Sequence, residues 1–171
     1  KIVKLIPAEE RKKLWGMGIK IGRYHIYLPK MLKPKAVEFR VSLWNLFHNL
    51  SGNNSIPKSG LNFLVDAKLE RNFMLLCGFE KFKEFFVRID ILEKLFIKII
   101  DSTKDRKFRI NSSMMNLLGC SKENFFKLMN YMNYKKDKEE DTYIFKGEKK
   151  KKEKLFKFDN RENPFNKLRA L

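Results

Sequence analysis

Apolar residues change their spacing several times along the chain, and each change marks an expected element. Residues 7–17 read as a short helix. Pro7 suits its first turn, Glu9 and Glu10 suit its positive end, and Leu14 and Trp15 give it an apolar side. Over 19–29, Ile19, Ile21, Ile26 and Leu28 alternate imperfectly with polar residues, which predicts extended chain with a hairpin about Gly22. Pro29 and Pro34 bracket a turn. Residues 36–50 predict a strong helix with two apolar ridges. One carries Phe39, Leu43, Leu46, Phe47 and Leu50, the other Val37, Val41 and Trp44. So wide an apolar face predicts burial on more than one side. The stretch 51–60 (SGNNSIPKSG) is a loop by composition.

Residues 69–77 predict a helix stopped by Gly78. Phe85, Val87 and Ile89 alternate as a strand. Asp90 with Glu93 three residues on resembles a capping box, opening a helix with Leu92, Leu95, Phe96 and Ile99 on one face. Residues 106–110 alternate again, and Ser112 or Ser113 is placed to cap a short helix through Leu118. Gly119 and Cys120 turn the chain. Ser121 caps a further helix, in which Phe125, Leu128, Met129 and Met132 follow helical spacing. Residues 134–136 and 142–146 can pair as a hairpin. Strand, helix, strand, helix–turn–helix and hairpin in this order is the order of a winged helix. The fold class expected is therefore α+β, mostly helical.

Charge changes the picture of function more than that of fold. The chain of 171 residues holds 38 Lys+Arg against 20 Asp+Glu, a net +18 with pI about 9.9. Such an excess predicts a polyanionic partner. The excess is uneven: net +9 over residues 1–79, +3 over 80–145 and +6 over 146–171. Lys supplies 29 of the 38 cations and only 4 residues are Ala, a bias typical of AT-rich coding. The winged-helix-like segment makes a poor duplex reader. Its outward positions Glu123, Lys127, Asn130 and Tyr134 include one cation and one anion. The hairpin tip over 137–141 (DKEED) is acidic. Base readout needs cations on the backbone and donors at base edges.

A different segment carries the binding signal. Lys20, Lys30, Lys33 and Lys35 are interleaved with Arg23, Tyr24, His25 and Tyr27 over 20–35 (KIGRYHIYLPKMLKPK). Cations that neutralise phosphates beside rings that stack on bases suit single-stranded RNA or DNA. The candidate contacts are Lys20, Arg23, Tyr24, Tyr27, Lys30 and Lys33, with Lys149, Lys150, Lys151 and Lys152 as a non-specific basic arm. Other chemistry is not signalled. Cys77, Cys120, His25 and His48 lack metal-ligand spacing, and neither His has a Ser, Cys or Asp partner placed for a hydrolytic triad. No phosphate loop or DEAD-type box occurs, so the chain alone is not expected to hydrolyse ATP. No apolar run approaches the roughly 18 residues of a membrane span, and a cytoplasmic protein without metal is expected.

Four pieces taken together resemble a known family. They are RKKLWGMGIKIGRYHIYLPKMLKPKAVEFRVSLW (11–44), CGFEKFKEFFVRIDILEKL (77–95), MMNLLGCSKENFFKLMNYMNY (114–134) and NPFNKLRAL (163–171). The most distinctive parts are LWxxGxxxGRYxxYLPxxLKP and LLGCSxxxF. In this order they resemble the segment that follows the motor in alphaproteobacterial superfamily-two helicases, relatives of the mitochondrial degradosome RNA helicase. The resemblance implies a non-catalytic accessory region of an ATP-dependent RNA or DNA helicase. It would pack on two upstream RecA-like motor domains and help line the channel for the single strand. ATP and Mg would belong to that motor, with no cofactor in this chain. The start at Lys1 rather than Met fits a fragment. On this reading residues 1–79 form a helical post-motor module with a short extended segment, 80–148 a winged-helix-like domain and 149–171 a basic tail. The alternative is a stand-alone nucleic-acid-binding or scaffolding protein. A third expectation, a protein-docking module, treats the charge as incidental.

Overall fold

The computed structural model describes residues 6–50, 56–66, 68–104, 107–137 and 142–145. Among these residues the fold is α+β, with six α-helices and three small antiparallel sheets. Helix α1 (Ala8–Gly16) leads into a minimal hairpin of β1 (Lys20–Ile21) and β2 (Ile26–Tyr27), paired Lys20 to Tyr27 and Ile21 to Ile26. A 3₁₀ turn over Pro29–Leu32 runs into α2 (Pro34–Phe47), which has Pro34 at its start, where a missing N–H costs nothing.

The central sheet has the order β3–β5–β4, formed by Phe63–Val65, Phe85–Arg88 and Phe79–Phe82. Helix α3 (Arg71–Leu76) lies in the chain between β3 and β4. Gly78 follows α3 with a φ of 89°, a backbone conformation that strains any other residue, and a Cβ there would also press on the Leu32 side chain. Strand β5 is buried on both faces, and its alternation sorts its side chains between two cores. Phe86 joins Val37, Val41, Phe73, Met74, Cys77 and Phe79 on one side. Phe85 and Val87 join the larger core on the other, with Leu92, Leu95, Met114, Phe125, Leu128 and Met129. Strand β5 is central in the sheet, paired antiparallel with β3 (Phe63 to Val87) and with β4 (Phe79 to Arg88).

Helix α4 (Ile89–Ser102) crosses the larger core, followed by β6 (Lys107–Arg109), α5 (Ser112–Leu118), α6 (Lys122–Tyr131), β7 (Tyr134–Lys136) and β8 (Thr142–Phe145). The last three strands form a sheet ordered β6–β8–β7. Ser121 caps α6 as expected, its side chain accepting from Asn124 N–H.

Several local expectations change. Helix α5 is capped by Asn111, whose side chain accepts from Met114 N–H, so neither Ser112 nor Ser113 is the cap. The Asp90–Glu93 capping box does not form. Asp90 pairs with Arg88, and Glu93 turns to another part of the chain. Tyr134 is buried in β7 against Phe108, not turned outward. The α2 ridge of Phe39, Leu43, Leu46, Phe47 and Leu50 is exposed, because only the Val37 and Val41 side meets the β-sheet core. The expected acidic tip beyond Asp137 lies outside the described residues, as does the tail with Lys149, Lys150, Lys151 and Lys152.

Candidate nucleic-acid interface

The β1–β2 turn is closed by Gly22 N–H donating to His25 C=O at 2.8 Å. That closure leaves the next three backbone N–H groups pointing the same way, with no partner of their own inside the hairpin. Helix α4 supplies one. Glu93, 4% exposed, accepts from Arg23 N–H at 2.6 Å, Tyr24 N–H at 3.1 Å and His25 N–H at 2.9 Å. A carboxylate takes several donors at once, and backbone N–H groups stabilise its charge. The approach is so close that a Cβ at Gly22 would overlap the Glu93 carboxyl. Glycine is required there for room, which explains the first residue of the GRY sequence at this turn.

His25 completes the clasp. Its Nδ1 lies 3.1 Å from Glu93 Oε1 and its Nε2 lies 2.9 Å from Glu80 Oε2. Both ring nitrogens face carboxylates, so both must donate, and the ring is an imidazolium. The Glu80 hydrogen bond, then that of Glu93, raise the His25 pKa to about 9 against the opposing effect of burial. Burial pushes the Glu93 carboxyl up. The His25 hydrogen bond and the three backbone donors outweigh it and hold Glu93 below the usual range. Glu80 is likewise pushed up by burial and held low by His25 and Arg71. Arg71 donates to Glu80 Oε1 through Nε at 3.1 Å and Nη2 at 2.8 Å. Two cations and two carboxylates therefore neutralise one another in a half-buried network.

The clasp sets where the expected contacts point. Tyr24 is half exposed, and its ring lies on Phe96 of α4 with centroids 4.6 Å apart. The Arg23 guanidinium sits 5.4 Å from the Tyr24 ring, 5.8 Å from Phe96 and 5.4 Å from Phe145. Lys20, Arg23 and Tyr27 line a groove of about 470 Å³ whose far wall holds Trp15, Ile97 and Ile100. Tyr24 lines an adjoining cavity of about 320 Å³. Lys30 lies on the 3₁₀ turn and Lys33 just beyond it. Both are exposed, and neither lines the groove. Four of the six expected contacts from this segment thus gather about one hairpin.

The sequence reading missed Glu93, Glu80, Phe96 and Phe145. A signal for Glu93 was present: Ile89, Glu93 and Phe96 lie at helical spacing on a buried face, where an ionised side chain needs partners. Both His25 ring nitrogens are taken by carboxylates, which leaves neither free to accept a proton from a nucleophile as a hydrolytic triad requires. Among the described residues no group of three or more His, Cys, Asp or Glu is arranged to hold a metal. Burial pushes both free thiols, Cys77 and Cys120, up to about 11, so they are protonated and unreactive near neutral pH. Among the described residues no helix is long and apolar enough to cross a membrane. No protein-family model, curated protein or solved structure matches the chain.

Proposed function

We propose that the chain binds single-stranded RNA or DNA through its β1–β2 hairpin, as a non-catalytic accessory part of an ATP-dependent helicase. The observation that carries the binding half is the clasp. Glu93 fixes the backbone of Arg23, Tyr24 and His25, so that a guanidinium and a ring stand ready beside Lys20 and Tyr27. Ordered cations and stackable rings are the two parts of sequence-tolerant single-strand recognition. Holding them in place before binding removes part of the ordering cost.

The helicase half rests on the motif resemblance, and two features support it. The exposed apolar ridge of α2 suits packing on another domain, such as an upstream RecA-like motor. The order of α4, β6, α5, α6, β7 and β8, with the strands arranged β6–β8–β7, supports reading this part as winged-helix-like. Of its two exposed α6 cations, Lys127 is paired with Glu123 at 2.8 Å, which favours a structural role over duplex reading. ATP and Mg would be held by the motor.

The test is a salt titration of binding to a labelled single-stranded oligonucleotide. Affinity is expected to fall with salt, with a slope of about 0.7 per phosphate contact. The double variant Arg23→Ala/Tyr24→Ala should lower affinity and reduce the slope by about one unit. Unchanged affinity in that variant would remove the hairpin from the interface. Absence of binding at about 50 mM salt would sink the reading altogether.

A further inference from the structure

The cavity beside the clasp lies outside the groove that holds Lys20 and Tyr27, and its walls differ in kind. It measures about 320 Å³, at the small end of the roughly 300–1,000 Å³ typical of ligand pockets. Tyr24, Phe96 and Phe145 form one wall, and Phe82 and Tyr131 approach from β4 and α6. Beside these rings stand a few polar groups, Glu80, Lys81, His25 and Asn133. We infer that this cavity is a nucleobase site, taking one unstacked base of the single strand whose backbone the hairpin holds. This inference rests on the single-strand reading above and adds to it a place where a base is enclosed rather than merely stacked.

The chemistry of the walls selects a flat, polar-edged ring. Aromatic faces accept any base through stacking. Glu80 Oε2 accepts from His25, and an ionised carboxylate oxygen has room for a second donor, such as a base amino group. The Asn133 amide offers both a donor and an acceptor on the turn between α6 and β7. Arg23 lies at the border, its guanidinium against Tyr24, Phe96 and Phe145, while it also lines the basic groove. A phosphate at Arg23 and a base beyond it would thus belong to one nucleotide. An organic cation is the rival occupant of an aromatic pocket. Arg23 stands at the border and Lys81 in the lining, and residues 1–79 carry net +9, so a cationic ligand meets repulsion.

The test compares two labelled single strands of equal length and charge, one intact and one lacking its bases, against the full chain at the same salt. The intact strand is expected to bind about 5- to 150-fold more tightly. Phe82→Ala and Asn133→Gly should each lower affinity for the intact strand and leave the abasic strand unchanged. Asn133 has a φ of 65°, so glycine relieves its backbone and loss of fold cannot explain a loss of binding. If Phe82→Ala fails to fold, Asn133→Gly carries the test. Equal binding of the two strands would overturn the nucleobase site while leaving the basic hairpin reading intact. Binding of neither strand would overturn both. A preference for the intact strand that both variants retain would assign stacking to the surface and overturn the enclosed site. Capture of a trimethyllysine peptide, lost in Phe82→Ala, would overturn it in favour of a cation cage.

Discussion

Helices α2 and α4 are both 14 residues long and both rich in apolar residues, yet α4 buries seven residues and α2 buries two. The difference lies in what surrounds them. Helix α4 is enclosed by β5, α5 and α6 on one side and the β1–β2 hairpin on another, so even its Glu93 has a place inside. Helix α2 meets the small core through Val37 and Val41, while Leu46 and Phe47 are 74% and 81% exposed. Amphipathic pattern states which residues a helix would bury, and the neighbours decide which it does. Among the described residues this ridge stays uncovered beside a well-packed core.

The comparison can be broken most forcefully at Glu93. Glu93→Ala leaves three backbone donors and the His25 imidazolium without their acceptor and should destabilise the chain by about 3–5 kcal/mol in urea unfolding. A loss below about 1 kcal/mol would mean that water replaces the carboxylate and that the clasp is peripheral. Leu95→Ala, in the fully buried centre of α4, should cost about 2–5 kcal/mol by the same measurement.

Proton linkage comes next in size. The His25 pKa is raised above its unfolded value, so its contribution is complete below about pH 6.5 and is lost as pH rises through about 9. Glu80 and Glu93 are held low, so their contributions are present above the ordinary carboxylate range and are lost as pH falls through their depressed values. Stability should therefore drop by about 1–3 kcal/mol between pH 6 and pH 10 after allowance for screening, and His25→Ala should abolish most of that drop. A pH profile unchanged by His25→Ala would show that the ring is neutral in the fold. The smallest effect is expected on α2, where Leu46→Gln should change stability by no more than about 0.5 kcal/mol while making the chain less prone to self-association. A larger loss would show that the ridge is covered within the chain itself.

Much of this architecture is legible in the residues. The spacing of Leu92, Leu95, Phe96 and Ile99 specifies α4, that of Phe125, Leu128, Met129 and Met132 specifies α6, and the turn about Gly22 is visible as a break in alternation. Strand β4 is harder to see. Phe79 and Phe82 flank Glu80 and Lys81 without alternation, and the turn to β5 uses Lys83 at a φ of 55° rather than the glycine that usually marks such a hairpin. Of the candidate interface, the cations and rings of the hairpin stand out in the sequence, but the group that orders them does not. Glu93 is far along the chain, and its spacing from Asp90 imitates a local cap. Local pattern cannot distinguish a carboxylate that serves its own helix from one that serves a distant loop.

That distance has a consequence for how the hairpin comes and goes. Glu93 is separated from Arg23 by 70 positions, and their bond closes a long loop of chain around the central sheet. Such a closure is entropically costly and can form only once α4 exists to present the carboxylate. Residues 23–25 are therefore expected to dock late and to open locally before either core unfolds. In hydrogen–deuterium exchange their three amides should lose protection together, at a single rate, while those of α4 persist. The hairpin is in this sense a detachable arm latched by Glu93 and Glu80.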